Sequence, residues 1–117
     1  MNKLITKEIL AELKANDELS QQGMNRLDML PVLRLFTPDA AATWVLVSGE
    51  EVEGDVILFG CCDLGMGVQE FGNVSLRELE TVSGKLGLPV ERDLYFQPTG
   101  TLQQMADDAE AAGGTSL

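Results

Sequence analysis

A chain of 117 residues and 12.6 kDa has room for one hydrophobic core and little more. Its 44% hydrophobic residues make a folding composition rather than a disordered one. Nineteen Asp and Glu against eight Lys and Arg leave a formal charge of −11, which excludes nucleic-acid binding through basic patches and disfavours docking on anionic lipid. The chain contains no histidine, so Ser-His-Asp and Cys-His catalysis, His-ligated zinc and a histidine pH switch are excluded with it.

Thr6 is placed to cap a first helix over residues 6–16, with Ile9 and Leu13 on one face and Lys7, Glu8, Glu12 and Lys14 on the other. Asn16-Asp17 reads as its end. Residues 17–31, punctuated by Gly23 and Pro31, read as a loop or short helical turn. Val32–Phe36 is a short strand, Thr37-Pro38-Asp39 a turn, and Thr43–Val47 a second strand rich in β-branched and aromatic residues. Ser48–Gly54 reads as a polar hairpin loop. Asp55–Cys62 is the strongest strand: the run Val56-Ile57-Leu58-Phe59 does not alternate, which predicts burial on both faces and a central position. Val68–Val74 is a weaker fourth strand, with Gly72 as a candidate bulge.

Ser75-Leu76-Arg77-Glu78 has the form of a capping box and opens a second helix running to Val82. Val90–Gln97 reads as extended and is stopped by Pro98. Thr101–Gln104 repeats the capping pattern, and Leu102, Met105 and Ala109 give a third helix one apolar face before a frayed tail from about residue 113. Together these elements predict one α+β domain over residues 1–117, a mainly antiparallel sheet of four to five strands with N-terminal, middle and C-terminal helices.

Cys61 and Cys62 are neighbours and point to opposite faces of a strand, as expected of reduced core-type thiols in a cytoplasmic protein. No spaced ligand set or phosphate-loop glycine pattern accompanies them, so no metal and no cofactor is expected. Glu50, Glu51, Glu53 and Asp55 lack the EF-hand spacing that calcium would require. The N-terminus, with Lys7-Glu8 following Met1–Thr6 at once, lacks a secretory pattern, and the longest apolar run is too short to cross a bilayer.

The charge is unevenly placed. Between Arg34 and Arg77 there is no base but Asp39, Glu50, Glu51, Glu53, Asp55, Asp63 and Glu70, a local charge of −7; after Arg92 there is again none, while Asp93, Asp107, Asp108 and Glu110 follow. Such a surface either keeps the protein in solution or steers a basic protein partner, for instance one that normally grips nucleic acid, with carboxylates standing where phosphates would. Glu91-Arg92-Asp93 beside Tyr95 and Phe96 is a second candidate: Arg92 ties the segment to carboxylates or carbonyls elsewhere, or the group forms a recognition site; Trp44, Tyr95 and Phe96 read first as core residues and second as ligand-stacking groups.

The segment Leu86-Gly87-Leu88-Pro89-Val90-Glu91-Arg92-Asp93-Leu94-Tyr95-Phe96 with Pro98 resembles the signature of a bacterial family of unknown function, small single-domain proteins common on plasmids, phages and conjugative elements. Leu4-Ile5-Thr6, Phe36-Thr37-Pro38, Thr43-Trp44, Phe59-Gly60 and Ser75-Leu76-Arg77-Glu78-Leu79-Glu80 are similar too, while the final helix and Cys61-Cys62 depart from the pattern. The resemblance implies an accessory role on a mobile element and brings no catalytic residue. By analogy of setting and charge, the expected function is non-enzymatic inhibition of a host defence nuclease complex, anti-CRISPR or anti-restriction, through an acidic surface mimicking nucleic acid. The alternatives are a small ligand-binding or enzymatic domain with a pocket near Trp44, Asp63 and Arg92, and a homo-oligomer joined through the two-sided apolar strand.

Overall fold

The computed structural model describes residues 4–113 and 117. Helix α1 (Lys7–Gln21) begins where the Thr6 hydroxyl accepts a hydrogen bond from the Ile9 amide. It does not stop at residue 16. The Asn16 side chain donates to the Val47 carbonyl and the Asp17 carboxylate accepts from Gln21, so both residues serve the helix interior. The true stop is Gly23, whose φ of 105° allows Gly23 and Met24 to donate back to Ser20 and Leu19 in a Schellman motif. A single 3₁₀ turn, Arg26–Asp28, follows.

The strands β1 (Leu33–Phe36), β2 (Thr43–Val52), β3 (Asp55–Asp63) and β4 (Glu70–Ser75) form an antiparallel meander, and β5 (Glu91–Arg92) returns to pair with β1, giving the order β4-β3-β2-β1-β5. This is the expected α+β class, with helix α2 (Leu76–Leu79) between β4 and β5 and helix α3 (Leu102–Ala111) at the end. Several boundaries differ. Ser48–Gly54 is not a loop: β2 runs on to Val52, and Glu53-Gly54, both with positive φ, make a two-residue hairpin turn. The central strand is β2, with β3 second from the edge. Gly72 is no bulge. It lies in register opposite Gly60, and the irregularity falls instead between Leu46 and Ser48, where the freed Val47 carbonyl is taken by Asn16.

Helix α2 ends at Leu79 rather than Val82, and β5 is short because the Asp93 side chain accepts from the Tyr95 amide and turns the chain away from the ladder. Thr101 and Gln104 do form a reciprocal capping box on α3. The tail expected from about residue 113 falls mostly on 114–116, outside the described residues.

Two apolar clusters sandwich the sheet. Leu13 of α1 and Leu76 and Leu79 of α2 pack with Leu33, Leu35, Trp44, Leu46, Val56 and Leu58 on one face. On the other, Leu102, Met105, Ala106 and Ala109 of α3 pack with Val45, Val47 and Cys61. Each fully buried leucine contributes about 1.5–3 kcal/mol. Alternation therefore does operate in β3: Val56 and Leu58 serve the first face, while Ile57 and Phe59 on the second are only half-buried.

Candidate functional site

The seven carboxylates between Arg34 and Arg77 fall into two kinds. Asp39, Asp55 and Asp63 are engaged inside the fold. Asp63, 5% exposed, accepts from the amides of Gly65 and Met66 at 2.8 and 3.2 Å and from the Gln69 side chain, and so shapes the β3–β4 loop. Asp55 accepts from Ser75 Oγ and from the amides of Val56 and Arg77, which clamps the β2–β3 hairpin to the start of α2. The Ser75 hydroxyl, more than any other group, holds the Asp55 carboxyl below its ordinary pKa. Asp39 accepts from the Leu86 and Leu88 amides and ties down the loop that carries them.

The remaining four are exposed. Glu51 pairs with Lys14 Nζ at 2.6 Å, while Glu50, Glu53 and Glu70 have no hydrogen-bonded or ionic partner among the described residues. Glu50 and Glu51 are successive in β2 and point to opposite faces, so the hairpin charges do not form one array.

In the late segment, Arg92 Nη1 donates to the Leu4 carbonyl at 3.1 Å, a distant backbone partner of the kind the triplet pattern anticipates. Asp93 meets Arg34 Nη1 at 3.4 Å, both partly buried. Glu91 is exposed, and Tyr95 is 89% exposed, so the aromatic ring is presented to solvent rather than to the core.

The ladder registers place Arg92, Leu35, Trp44, Cys62 and Glu70 in one row across the first face. Trp44, Asp63 and Arg92 do not line one pocket. Arg92 lies two strands from Trp44, about 10 Å, with Leu35 between them. Asp63 is one residue past Cys62 and faces the other way.

Trp44 does line a cavity. The next row is Leu33, Leu46, Gly60 and Gly72, and its two glycines leave the sheet bare between the Trp44–Cys62–Glu70 row and the Leu58–Val74 pair. Gly60 admits no side chain, since a Cβ there would come within 2.0 Å of the Val45 carbonyl oxygen, whereas a Cβ on Gly72 would meet nothing within 4 Å. Leu79 and Val82 wall the hollow from above, making a half-open trough of about 340 Å³ with Glu70 and Glu78 among its lining. Sequence reasoning missed Gly60, Gly72, Glu78 and Val82 as a group, because the pairing register that joins them is not written in any local pattern.

On the opposite face, Val68 and Phe71 meet Gln103, Ala106, Asp107 and Glu110 of α3 around a smaller groove. Val68 and Phe71 are exposed there, while the exposed Leu64 lines the trough. The chain supplies no Lys or Arg after Arg92, so Asp107 and Glu110 stand on this side without a base of their own segment, while Glu70 points to the first face.

The Cys61 thiol is pushed up to about 12, chiefly by burial and secondarily by the charge of Cys62 and Asp63. Cys62 is raised by burial, then by Glu70 and Asp63, so it forms part of the trough as a protonated, weakly nucleophilic thiol. Among the described residues no group of three or more Cys, Asp or Glu is placed to hold a metal ion, and no helix is long and apolar enough to cross a membrane.

Fold and site thus define an α+β protein whose antiparallel sheet carries helices on both faces, an apolar trough on one and an acidic groove on the other. The chain belongs to the family described as protein of unknown function (DUF2958), whose match extends over residues 4–116. No curated protein and no solved structure matches it.

Proposed function

We propose that the chain is a non-enzymatic binding protein whose partner is a basic protein surface, engaged through the face made by Val68, Phe71 and α3. In its finer form it is a cytoplasmic accessory protein of a mobile element that inhibits a defence nuclease complex, such as a CRISPR effector or restriction enzyme, by presenting carboxylates to the channel that would hold nucleic acid. The observation that supports this reading is acidic charge without an ionic partner among the described residues beside an exposed apolar strip: Asp107 and Glu110 flank Val68 and Phe71. A negative field steers a cationic surface into contact, and exposed apolar side chains then give the contact area. The hairpin carboxylates are weaker candidates, since Asp55 is hydrogen-bonded internally and Glu51 is paired with Lys14.

The test is a binding assay against purified nuclease complexes at low and high salt, comparing wild type with the Asp107→Asn, Glu110→Gln double variant. The expected result is an association rate lowered about tenfold or more with dissociation little changed, and binding that weakens as salt rises. Binding by both proteins that is equal and insensitive to salt removes the mimicry mechanism. A Glu50→Gln, Glu51→Gln, Glu53→Gln variant serves as the control and is expected to lose less.

A further inference from the structure

We infer that the trough on the α1–α2 face is a binding site for a small amine with an apolar body, an arylalkyl or branched aliphatic ammonium ion. This is independent of the basic-partner reading, which uses the α3 face. The cavity, about 340 Å³, lies within the size range of small-ligand pockets and has room for a body on the order of ten non-hydrogen atoms.

Its shape follows from the register. Gly60 and Gly72 face each other across β3 and β4, so the floor is backbone, and the buried Trp44 indole closes the inner side. A flat or branched apolar group fits between that floor and the Leu79–Val82 wall, where its apolar surface is removed from solvent. The polar chemistry of the lining is one-sided. Glu70 and Glu78 are exposed, so they stand at the mouth, and neither carboxylate has a hydrogen-bonded or ionic partner among the described residues. No Lys or Arg lines the trough. An anionic ligand would be repelled there, a neutral one would gain only the apolar contact, and an ammonium group at the mouth would gain a carboxylate as well. The protonated Cys62 thiol adds a soft apolar surface without competing for the cation.

Trp44 is the sole tryptophan of the chain and lines the cavity, so its fluorescence reports occupancy directly. The experiment titrates the full chain with 2-phenylethylamine, 2-phenylethanol and 3-phenylpropionate, which share a body and differ in charge. The expected result is a saturable Trp44 change with the amine, roughly three- to tenfold weaker binding of the alcohol, and none of the acid. Glu70→Gln with Glu78→Gln should bring the amine down to the affinity of the alcohol. Gly72→Leu should abolish binding of all three while the thermal transition persists, because the new side chain projects into open space. If that variant does not fold, Gly72→Ala, which narrows the trough by one methyl, should weaken the amine severalfold. An unsaturable or absent Trp44 response to the amine, equal binding of amine and acid, or wild-type binding by a folded Gly72 variant overturns the proposal.

Discussion

The hairpin end of the sheet and the α3 side are both acidic, but their carboxylates do different things. At the hairpin end Glu51 reaches Lys14 of α1, Asp55 accepts from Ser75 and Arg77, and Arg77 in turn donates to the Gly54 carbonyl. Charge there is woven into the junction of three elements. On the α3 side, the Glu110 carboxylate has no partner among the described residues, and Asp107 is held only by the neutral Gln103 amide. Equal densities of Asp and Glu in a sequence therefore need not be equal in reach: a carboxylate saturated by donors projects little field, and one without them projects its full charge. The contrast also separates stability from binding, since the first group should matter to the fold and the second to a partner.

The largest expected effect falls on β3, which carries one end of each region. Leu58 is fully buried against α1 and α2, and Leu58→Ala should cost about 2–5 kcal/mol in denaturant unfolding. Phe59→Ala should cost less, because the ring is half-buried and packed beneath the Arg26 guanidinium at 3.7 Å. An equal loss in the two would mean that the faces of β3 are equivalent.

Next comes Asp63→Ala, expected to cost about 1–3 kcal/mol because a buried acceptor of three hydrogen bonds is removed. An unchanged midpoint would move Asp63 into the group of available charges. Ser75→Ala should cost about 1 kcal/mol, the usual loss of a helix cap.

The Asp55 latch makes a distinct statement about pH. Its folded pKa is lowered from 3.8, so its contribution is complete above 3.8 and disappears as pH falls through the folded value. Unfolding midpoints followed from about pH 6 to about pH 2 should show a shallower acid limb in Asp55→Asn than in wild type. Identical limbs would mean that the carboxyl is not held in the charged form by Ser75.

The smallest effects belong to exposed charge. Glu51→Gln, which breaks a pair whose side chains are 51% and 53% exposed, should cost under about 1 kcal/mol. The Asp107 and Glu110 neutralisations should each change stability by no more than about 0.5 kcal/mol. A larger loss from either of those two would mean that the α3 side, too, is part of the scaffold.

Much of the architecture was legible because its signals are local. Thr6, Ser75 and Thr101 each accept the expected amide at a helix start, and the strands follow their β-branched runs. The failures have a common origin in context. Asn16-Asp17 has the composition of a helix end, yet Asn16 is claimed by the Val47 carbonyl across the interface, which no local rule anticipates. In Ser48–Gly54, Ser48 and Gly49 are still buried, and the polar residues from Glu50 on lie where β2 extends past the core. Polarity there reports solvent exposure rather than the absence of a strand. For the sites, Arg92 was legible as a tie because a charged triplet beside apolar residues needs a remote partner. The trough was not, because Gly60 and Gly72 acquire meaning only when the register sets them opposite each other.

The return of β5 to the side of β1 has a kinetic consequence. The meander β1–β4 forms by successive neighbours, but Leu35 must wait for Arg92, and Leu4 for the same arginine, 88 positions further along. Closing so long a span has an entropic cost that the meander does not share, so this edge of the sheet assembles late and opens first. During synthesis the nascent chain would hold four strands with the flank of β1 uncovered until the segment around Arg92 leaves the ribosome. That interval, rather than the finished molecule, is when the protein is most exposed to mispairing with another copy of itself.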